Sequence, residues 1–476
     1  MKIIERELLE RFKHYRQAHV FRFISELDEL AKTEFLRQAD AINLQKLSDK
    51  IRALVPVNKK YIGLKLEDIS SQVNFIGLPN NESDERRWEE AYRIGEDALR
   101  DGRVAILTAA GGQGTRLGYK ESKGILAVTP VKKKTLFQVL AEKIRFAEIK
   151  YGQKFHWFLM TSARNHEEIV EFFDQNELFG LEHVHFFSQG ILPAIDFSGK
   201  IMLENKHKIA MYPDGHGGIF NAFVSSGLFE ILERSNIDII SYFQVDNPLV
   251  RCLDPHFIGF HIKQRSEMSC RMVIKAYPEE KVGIFCTMYG KTAVVEYSDL
   301  IADFIYEKDT GGHLKFRVGN AAIHLLARDF IKSIGDDNAI RELPVHAARK
   351  RIPTIDAHGN PIEPESANGV KFETFVFDAL QFAENSLVLE VDRRENFSPI
   401  KNLQGIDSPF TCRQDQLRLF TRWLLSAGAE IPVDASGLPP FDIEISPLFA
   451  ENKRDFLLKW NALKSKPAIC SGSYIS

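Results

Sequence analysis

The sequence has little cysteine and no pattern for using it. Its five cysteines, Cys252, Cys270, Cys286, Cys412 and Cys470, are odd in number and widely spaced, with no C-x-x-C pair. Neither a disulfide framework nor a thiolate metal site is expected, and the pattern suits a reducing, cytoplasmic compartment. No charge of one sign dominates: Lys+Arg 62 against Asp+Glu 65 leaves a net charge of -3. Without a global basic field, nucleic-acid binding has no electrostatic support, although a local basic pocket for a small anion stays open. No apolar run approaches the roughly 20 residues of a membrane span. The N-terminal MKIIERELLERFKHYR is charged throughout and lacks the apolar core of a secretory signal. Repeats and low-complexity tracts are missing too. The expectation is a partner that is neither membrane nor nucleic acid.

What is present is a long globular chain. Its 476 residues exceed one core of ordinary size, and 44% hydrophobic with 27% charged residues is a globular balance. Residues 1–95 are rich in helix formers; Leu8, Phe12 and Tyr15, then Phe23, Leu27 and Leu30, recur at steps that predict amphipathic helices. Trp88, Tyr92 and Leu99 continue the rhythm toward a first strand. From 96 to 385, strand-like runs alternate with helical patterns: HWFLMT, a helix over 165–176, VHFFSQ and IDIISYFQV. Such alternation predicts an α/β fold with a mostly parallel sheet and ligands at the carboxyl ends of its strands. VGIFCTMYG and KTAVVEY predict an antiparallel hairpin against that sheet. Residues 386–476, with a helix over 413–425, form a small third part.

The densest signal is AILTAAGGQGTRLGYKESKGILAV, from Ala105 to Val128. A buried strand breaks into Gly111, Gly112, Gly114 and Gly118, with Arg116 and Lys123 close by. Glycines let peptide N–H groups approach a ligand, and successive N–H groups with two cations make an anion site suited to a nucleoside triphosphate. The spacing is neither a Walker loop nor a dinucleotide fingerprint. Asp246, in YFQVDNPLV, follows a strand at the place where a carboxylate can share Mg²⁺ with phosphates; it could equally cap the turn that follows. MYPDGHGGIFNAF places Gly215 and His216 in a second glycine-rich turn before a helix. Gln189, in FFSQGILPAI, carries an amide suited to a uracil edge.

GGQGTRLG followed by SKG resembles the signature of the UDP-N-acetylglucosamine (UDP-N-acetylhexosamine) pyrophosphorylases, of the UDP-sugar pyrophosphorylase family. VDN, PDGHGG, QGILPA, VVEYSDL and FSPIKN resemble further motifs of that family, in the same succession from about Gly95 to Asn402. The resemblance implies a Rossmann-like nucleotidyltransferase (GT-A-like) central domain over 96–385, with a mixed, mostly parallel sheet. An N-terminal helical part (1–95) and a small C-terminal domain (386–476) would flank it. It implies transfer of uridylyl from UTP to N-acetylglucosamine 1-phosphate, giving UDP-N-acetylglucosamine and pyrophosphate with Mg²⁺. The implied roles are Arg116 on the leaving pyrophosphate, Lys123 and Lys401 on phosphates, and Asp246 on the metal. Ala110, Gly111, Gly112, Gln189 and Gly215 would hold the nucleotide; His216, Gly283, Glu296, Tyr297 and Asn320 would meet the sugar.

His216 stands where the family usually has asparagine, as in the UDP-glucose and broad UDP-sugar branches, which keeps those substrates as the alternative. A non-catalytic nucleotide-sugar binder is more remote, since a binder has little need for two cations and a metal ligand at a leaving group. Lys401 in the third part would make that part a lid.

Overall fold

This computed structural model describes residues 2–54, 69–112, 118–119, 121–297, 305–336 and 341–476. By contacts the chain groups into two units. One gathers residues 1–63, 189–219 and 342–378; the other gathers 64–188, 220–341 and 379–476.

In the first unit, α1 (Lys2–His14), α2 (Glu29–Asp40) and α3 (Leu44–Leu54) accompany a three-stranded sheet of His346–Lys350, Gly369–Glu373 and Ile195–Asp196. Leu8 and Phe12 on α1 are buried as expected. The expected second stripe does not form. The chain turns at Arg16 (φ 58) and runs through the 3₁₀ turns Ala18–Phe21 and Ile24–Glu26. Phe23 and Leu27 therefore flank a turn, and Leu30, on α2, is 82% exposed. A 3₁₀ turn repeats every three residues, so its spacing imitates a helical stripe. The turn is held by aromatic edges: Phe21 meets Phe12 at 5.0 Å and Phe35 at 5.3 Å between ring centroids.

The second unit is built on a ten-stranded sheet. Its strands are β1 (Ile69–Ser70), β2 (Val104–Ala109), β3 (Trp157–Thr161), β4 (Val184–Ser188) and β5 (Ile239–Gln244), then β6 (Met268–Ile274), β7 (Ile284–Met288), β8 (Lys291–Val295), β9 (Val318–Ala327) and β10 (Ser386–Glu390). The path runs β1-β7-β9-β5-β2-β3-β4, with β6 joining β9 to β10 and β8 joining β7. Strands β5, β2, β3 and β4 pair in parallel, as do β6 and β10. The long β9 runs antiparallel to β5, β6 and β7, and β7–β8 is the expected hairpin. Residues Val104–Leu107 are at most 1% exposed, which is why the central strand reads as an unbroken apolar run.

Helices α4 (Glu82–Arg100), α5 (Leu136–Tyr151), α6 (His166–Gln175), α7 (Pro255–Gln264), α8 (Pro409–Ser426) and α9 (Lys453–Ala462) belong to this unit, with shorter helices at Phe229–Arg234, Arg328–Gly335 and Arg393–Asn396. The boundary expected at 95/96 falls inside α4, and residues 386–390 form β10 within the large sheet; independent folding of 386–476 stays a proposal. No helix of the described residues is long and apolar enough to cross a membrane.

Helices α4 and α7 cross with a glycine on each side. A Cβ at Gly95 would stand 1.9 Å from the Pro255 carbonyl oxygen, and one at Gly259 would stand 1.7 Å from that of Ala91. Backbone meets backbone here, so nothing can rotate away. Gly259→Ala is expected to lose about 2 kcal/mol or more by forcing the helices apart, read as a lower urea midpoint; an unchanged midpoint would show that the crossing is loose.

Candidate active site

Strand β2 delivers Ala110, fully buried, whose N–H donates to the Met160 carbonyl at 2.8 Å. Gly111 and Gly112 follow and leave the core; around Gly112 the space is open for 4 Å. Arg116 lies outside the described residues. The chain is described again continuously from Glu121, where the first turn of α6 takes hold of it. Glu168 accepts the Ser122 N–H at 2.9 Å. Asn165, 2% exposed, donates to the Ala110 carbonyl at 3.1 Å and to the Ser122 hydroxyl at 3.4 Å. Its Oδ1 accepts from the backbone N–H and hydroxyl of Ser162. One amide thus ties the two ends of the glycine-rich segment.

The next residue, Lys123, reaches the end of β5. Its Nζ donates to Oδ2 of Asp246 at 3.0 Å, with the two side chains 17% and 12% exposed. Asp246 opens the turn after the strand, and its carbonyl accepts the Ile400 N–H at 3.0 Å. Asn247 then fixes the FSPIKN segment. Its Nδ2 donates to the Asn396 carbonyl at 2.7 Å, and its Oδ1 accepts the N–H groups of Ser398 and Leu249 at 3.1 and 3.2 Å. Lys401 is thereby carried to the cleft, and its Nζ donates to the Lys281 carbonyl at 3.2 Å. The Lys401 and Asn402 amides donate to the Asp407 carbonyl. Burial pushes the Asp407 carboxyl above its usual range, against the opposing pull of Lys401.

Asp246, Asn320 and Lys401 line one cleft, together with Asn247, Ala322 and Pro399. Asn320 uses its Oδ1 to accept the Ala322 N–H at 2.9 Å, and its own N–H donates to the Gly283 carbonyl at 2.8 Å. Ala322 has φ 55, beside a register shift between β6 and β9. A non-glycine residue in the left-handed region costs free energy and persists where its surroundings enforce it, and bulges are frequent beside active sites. Gly283 also sits by Glu296, whose Oε2 is 3.3 Å from where a Cβ would stand. Gly283, Glu296 and Asn320 therefore gather as expected, while Tyr297, half-buried, follows Glu296 in a turn.

Gln189, Gly215 and His216 belong to the other unit. Gln189 donates to the Gly215 carbonyl at 2.6 Å. The glycines of PDGHGG serve close packing: a Cβ at Gly215 would stand 2.3 Å from the Thr374 carbonyl oxygen, and one at Gly217 would stand 2.6 Å from the Phe375 nitrogen. The N–H groups of Gly217 and Gly218 are taken by Thr374 and Gly215, so these two donors are spent within the fold. His216 accepts the Val376 N–H at its Nδ1, 3.1 Å away, and its ring packs on Phe375 and Phe377. Burial lowers its pKa to about 4, so the ring is neutral at pH 7, with its proton on Nε2. Burial raises Asp214 in the same loop to about 6.

Three residues that organise the site escaped the sequence reading. Asn247 lay inside the VDN motif, but its partners are some 150 positions away. Asn165 was legible only as a helix start, and Asp407 carried no signal. Among the described residues no group of three or more His, Cys, Asp or Glu could hold a metal by itself.

An α/β unit that sets lysines and an aspartate around a cleft at the carboxyl ends of its strands has the form of a phosphate-handling enzyme. Residues 77–419 match the model of the UDPGP family, UTP–glucose-1-phosphate uridylyltransferase, and the chain belongs to that family. It is 36% identical over 473 residues to the human UDP-N-acetylhexosamine pyrophosphorylase-like protein 1, covering 93% of this chain and 92% of the relative. It is 34% identical over 419 residues to the UDP-N-acetylglucosamine pyrophosphorylase of Saccharomyces cerevisiae, covering 85% and 86%. Among solved structures, the uridine diphosphate N-acetylglucosamine pyrophosphorylase of Trypanosoma brucei aligns with a TM-score of 0.78 and 27% identity, over 98% of this chain and 97% of that one.

Because Asn247 holds the Lys401 segment, Asn247→Ala is expected to speed amide hydrogen exchange at Ser398 about tenfold, the scale of one or two lost hydrogen bonds. Strand β5 should keep its protection; unchanged exchange at Ser398 would remove Asn247 from this role.

Proposed function

We propose that the protein transfers uridylyl from UTP to N-acetylglucosamine 1-phosphate, forming UDP-N-acetylglucosamine and pyrophosphate. The observation that carries this reading is the gathering of Lys123, Asp246, Lys401 and Asn320 at one end of the sheet, in a chain whose relatives carry that activity in their names. In the reaction an oxygen of the sugar phosphate forms a bond to the α-phosphorus of UTP as the bond to the bridging oxygen breaks, and pyrophosphate leaves. The attacking oxygen is already anionic, so no protein nucleophile or base is needed. The protein aligns the reactants and neutralises charge.

Lys123 and Lys401 take the phosphates in this reading, and Arg116 keeps the part in the leaving pyrophosphate that its motif implies. Asn320, Glu296, Gly283 and Tyr297 face the sugar, with His216 shaping its loop. Gln189 donates to Gly215, so a uracil contact falls to its Oε1. Asp246 would hold Mg²⁺. A single carboxylate fits the habit of this ion, which binds through one or two carboxylates and completes its shell with substrate phosphates and water. Bound there, the ion would neutralise phosphate charge, and Asp246 would exchange its lysine partner for it. Five unpaired cysteines support a reducing, cytoplasmic setting.

A UDP-glucose or broad UDP-sugar activity is the second reading, favoured by the description of the family model and by His216. Pyrophosphate release from UTP decides between them, with N-acetylglucosamine, N-acetylgalactosamine, glucose or galactose 1-phosphate, before and after chelation by EDTA. We expect kcat/KM at least about tenfold higher for an N-acetylated sugar, the effect of some 1.4 kcal/mol, and loss of turnover in EDTA restored by Mg²⁺. Preference for glucose would move the protein to the second reading, and undiminished turnover in EDTA would remove the metal.

A further inference from the structure

The far ends of β2 and β5 carry charges that the cleft does not use. Arg103 directly precedes β2, Asp238 directly precedes β5, and Arg328 follows β9 as the first residue of the short helix Arg328–Gly335. With Arg265, which closes α7, they line a cavity of about 280 Å³. That volume is close to the roughly 300 Å³ at which pockets for small ligands begin. The six residues of β5, about 20 Å of strand, separate it from the turn of Asp246.

The three guanidinium groups are accessible and only partly committed. Arg103, its side chain 35% exposed, donates from Nε and Nη2 to Asp238 at 3.2 and 2.5 Å. Arg328, 25% exposed, donates from Nε to its neighbour Asp329 at 3.0 Å and from Nη1 to the Ile237 carbonyl at 3.5 Å. Arg265 is exposed, and among the described residues its side chain has no hydrogen-bond or ion-pair partner. Burial lowers the pKa of His261, which also lines the cavity, to about 4, so it adds no charge at pH 7. The lining thus holds three cations against two carboxylates, Asp238 and Asp329.

The backbone favours the same sign. Ala327, the N-cap of the short helix, has no side chain to cap with, so this end presents N–H groups and the positive end of the helix dipole. Ser266, 4% exposed in the cavity wall, keeps a hydroxyl without a hydrogen-bond partner. Arg265 sits at φ 49 on the C-cap of α7, a left-handed position that glycine commonly takes.

We propose that this cavity binds a phosphate group, free or carried by a small monoester. Guanidinium groups match phosphate oxygens and form charge-assisted bonds with them. A tetrahedral dianion offers three oxygens to three guanidiniums at once, whereas a carboxylate offers two. Arg265 gives its whole fork, Arg103 its Nη1 and Arg328 its Nη2, and the uncapped helix end attracts the same charge. Asp238 keeps its bonds to Arg103, while the contact of Arg328 with Asp329, a side chain 85% exposed, is weak enough to give way. No step of the proposed uridylyl transfer uses this cavity, so the two readings stand or fall separately.

The test follows amide hydrogen exchange of the full chain over the helix Arg328–Gly335 at constant ionic strength. The chain is titrated with inorganic phosphate and, separately, with glycerol 2-phosphate. We expect saturable slowing that reaches about tenfold at ten times the Kd. A lower Kd for glycerol 2-phosphate assigns the site to a monoester, and a lower Kd for phosphate assigns it to the free ion. Arg265→Gln should raise the Kd at least about tenfold, the scale of one lost bond to a charged group, and leave the urea midpoint unchanged. Arg265→Gly should weaken binding as much yet raise that midpoint, since glycine takes the left-handed φ without strain. No slowing in this helix up to about 10 mM of either anion, equal slowing by chloride, or an unchanged Kd in Arg265→Gln would overturn the proposal. Slowing confined to the Lys123 and Lys401 segments would place the anion in the cleft alone and overturn it too.

Discussion

The contact between Lys123 and Asp246 is the constraint on which the rest of the cleft depends. Opposite charges, largely shielded from water, are stable only as a pair or with other partners of the right sign. Lys123 belongs to the segment that leaves β2, and Asp246 to the turn that leaves β5, so the pair closes the gap between neighbouring parallel strands. Each partner is held from behind. Asn165 and Glu168 fix the turn of Lys123, while Asn247 and the Ile400 amide fix that of Asp246. Phosphates and a divalent cation offer each group a partner of the charge it now satisfies within the pair. In the proposed reaction a nucleotide with its metal would take over both charges of this self-neutralised pair.

A second economy appears in the other unit. Glycine-rich turns are commonly read as cradles for ligands, and the PDGHGG segment invites that reading. Here Gly215 and Gly217 are required because the backbone of Thr374 and Phe375 passes within reach of any side chain, and Asp214 fits only because Gly190 and Gly218 have none. His216 is neutral and fastened to Val376.

Much of this was legible in the sequence because local period and local chemistry coincide there. The buried run of β2, the β7–β8 hairpin and the helix begun at Asn165 all announce themselves within a few residues. Asp246 and Lys123 could be singled out because each follows a strand or a glycine turn, and the structure brings the two side chains into contact. The misread stripe of Phe23, Leu27 and Leu30 shows the limit of period alone, since 3₁₀ turns share the spacing. Asn247 and Asn165 were hidden for another reason: their significance lies in partners remote in the chain, such as Ala110 for Asn165, while Asp407 acts through its backbone carbonyl on the nearby Lys401 and Asn402 amides, which no side chain announces. The entry of residues 386–390 into the large sheet was equally invisible, because a buried parallel strand looks the same whichever part of the chain it joins.

The most direct test of the central claim is a double-mutant cycle on Lys123 and Asp246, following pyrophosphate release from UTP. If the two groups form one charge-handling unit, Lys123→Ala and Asp246→Ala each lower kcat by about a hundredfold, the scale of one lost preorganised charge. The double variant is then no slower than the worse single one. Independent losses that multiply to about ten-thousandfold, by the same reckoning, would contradict the account and reduce the observed pair to a contact without a shared role.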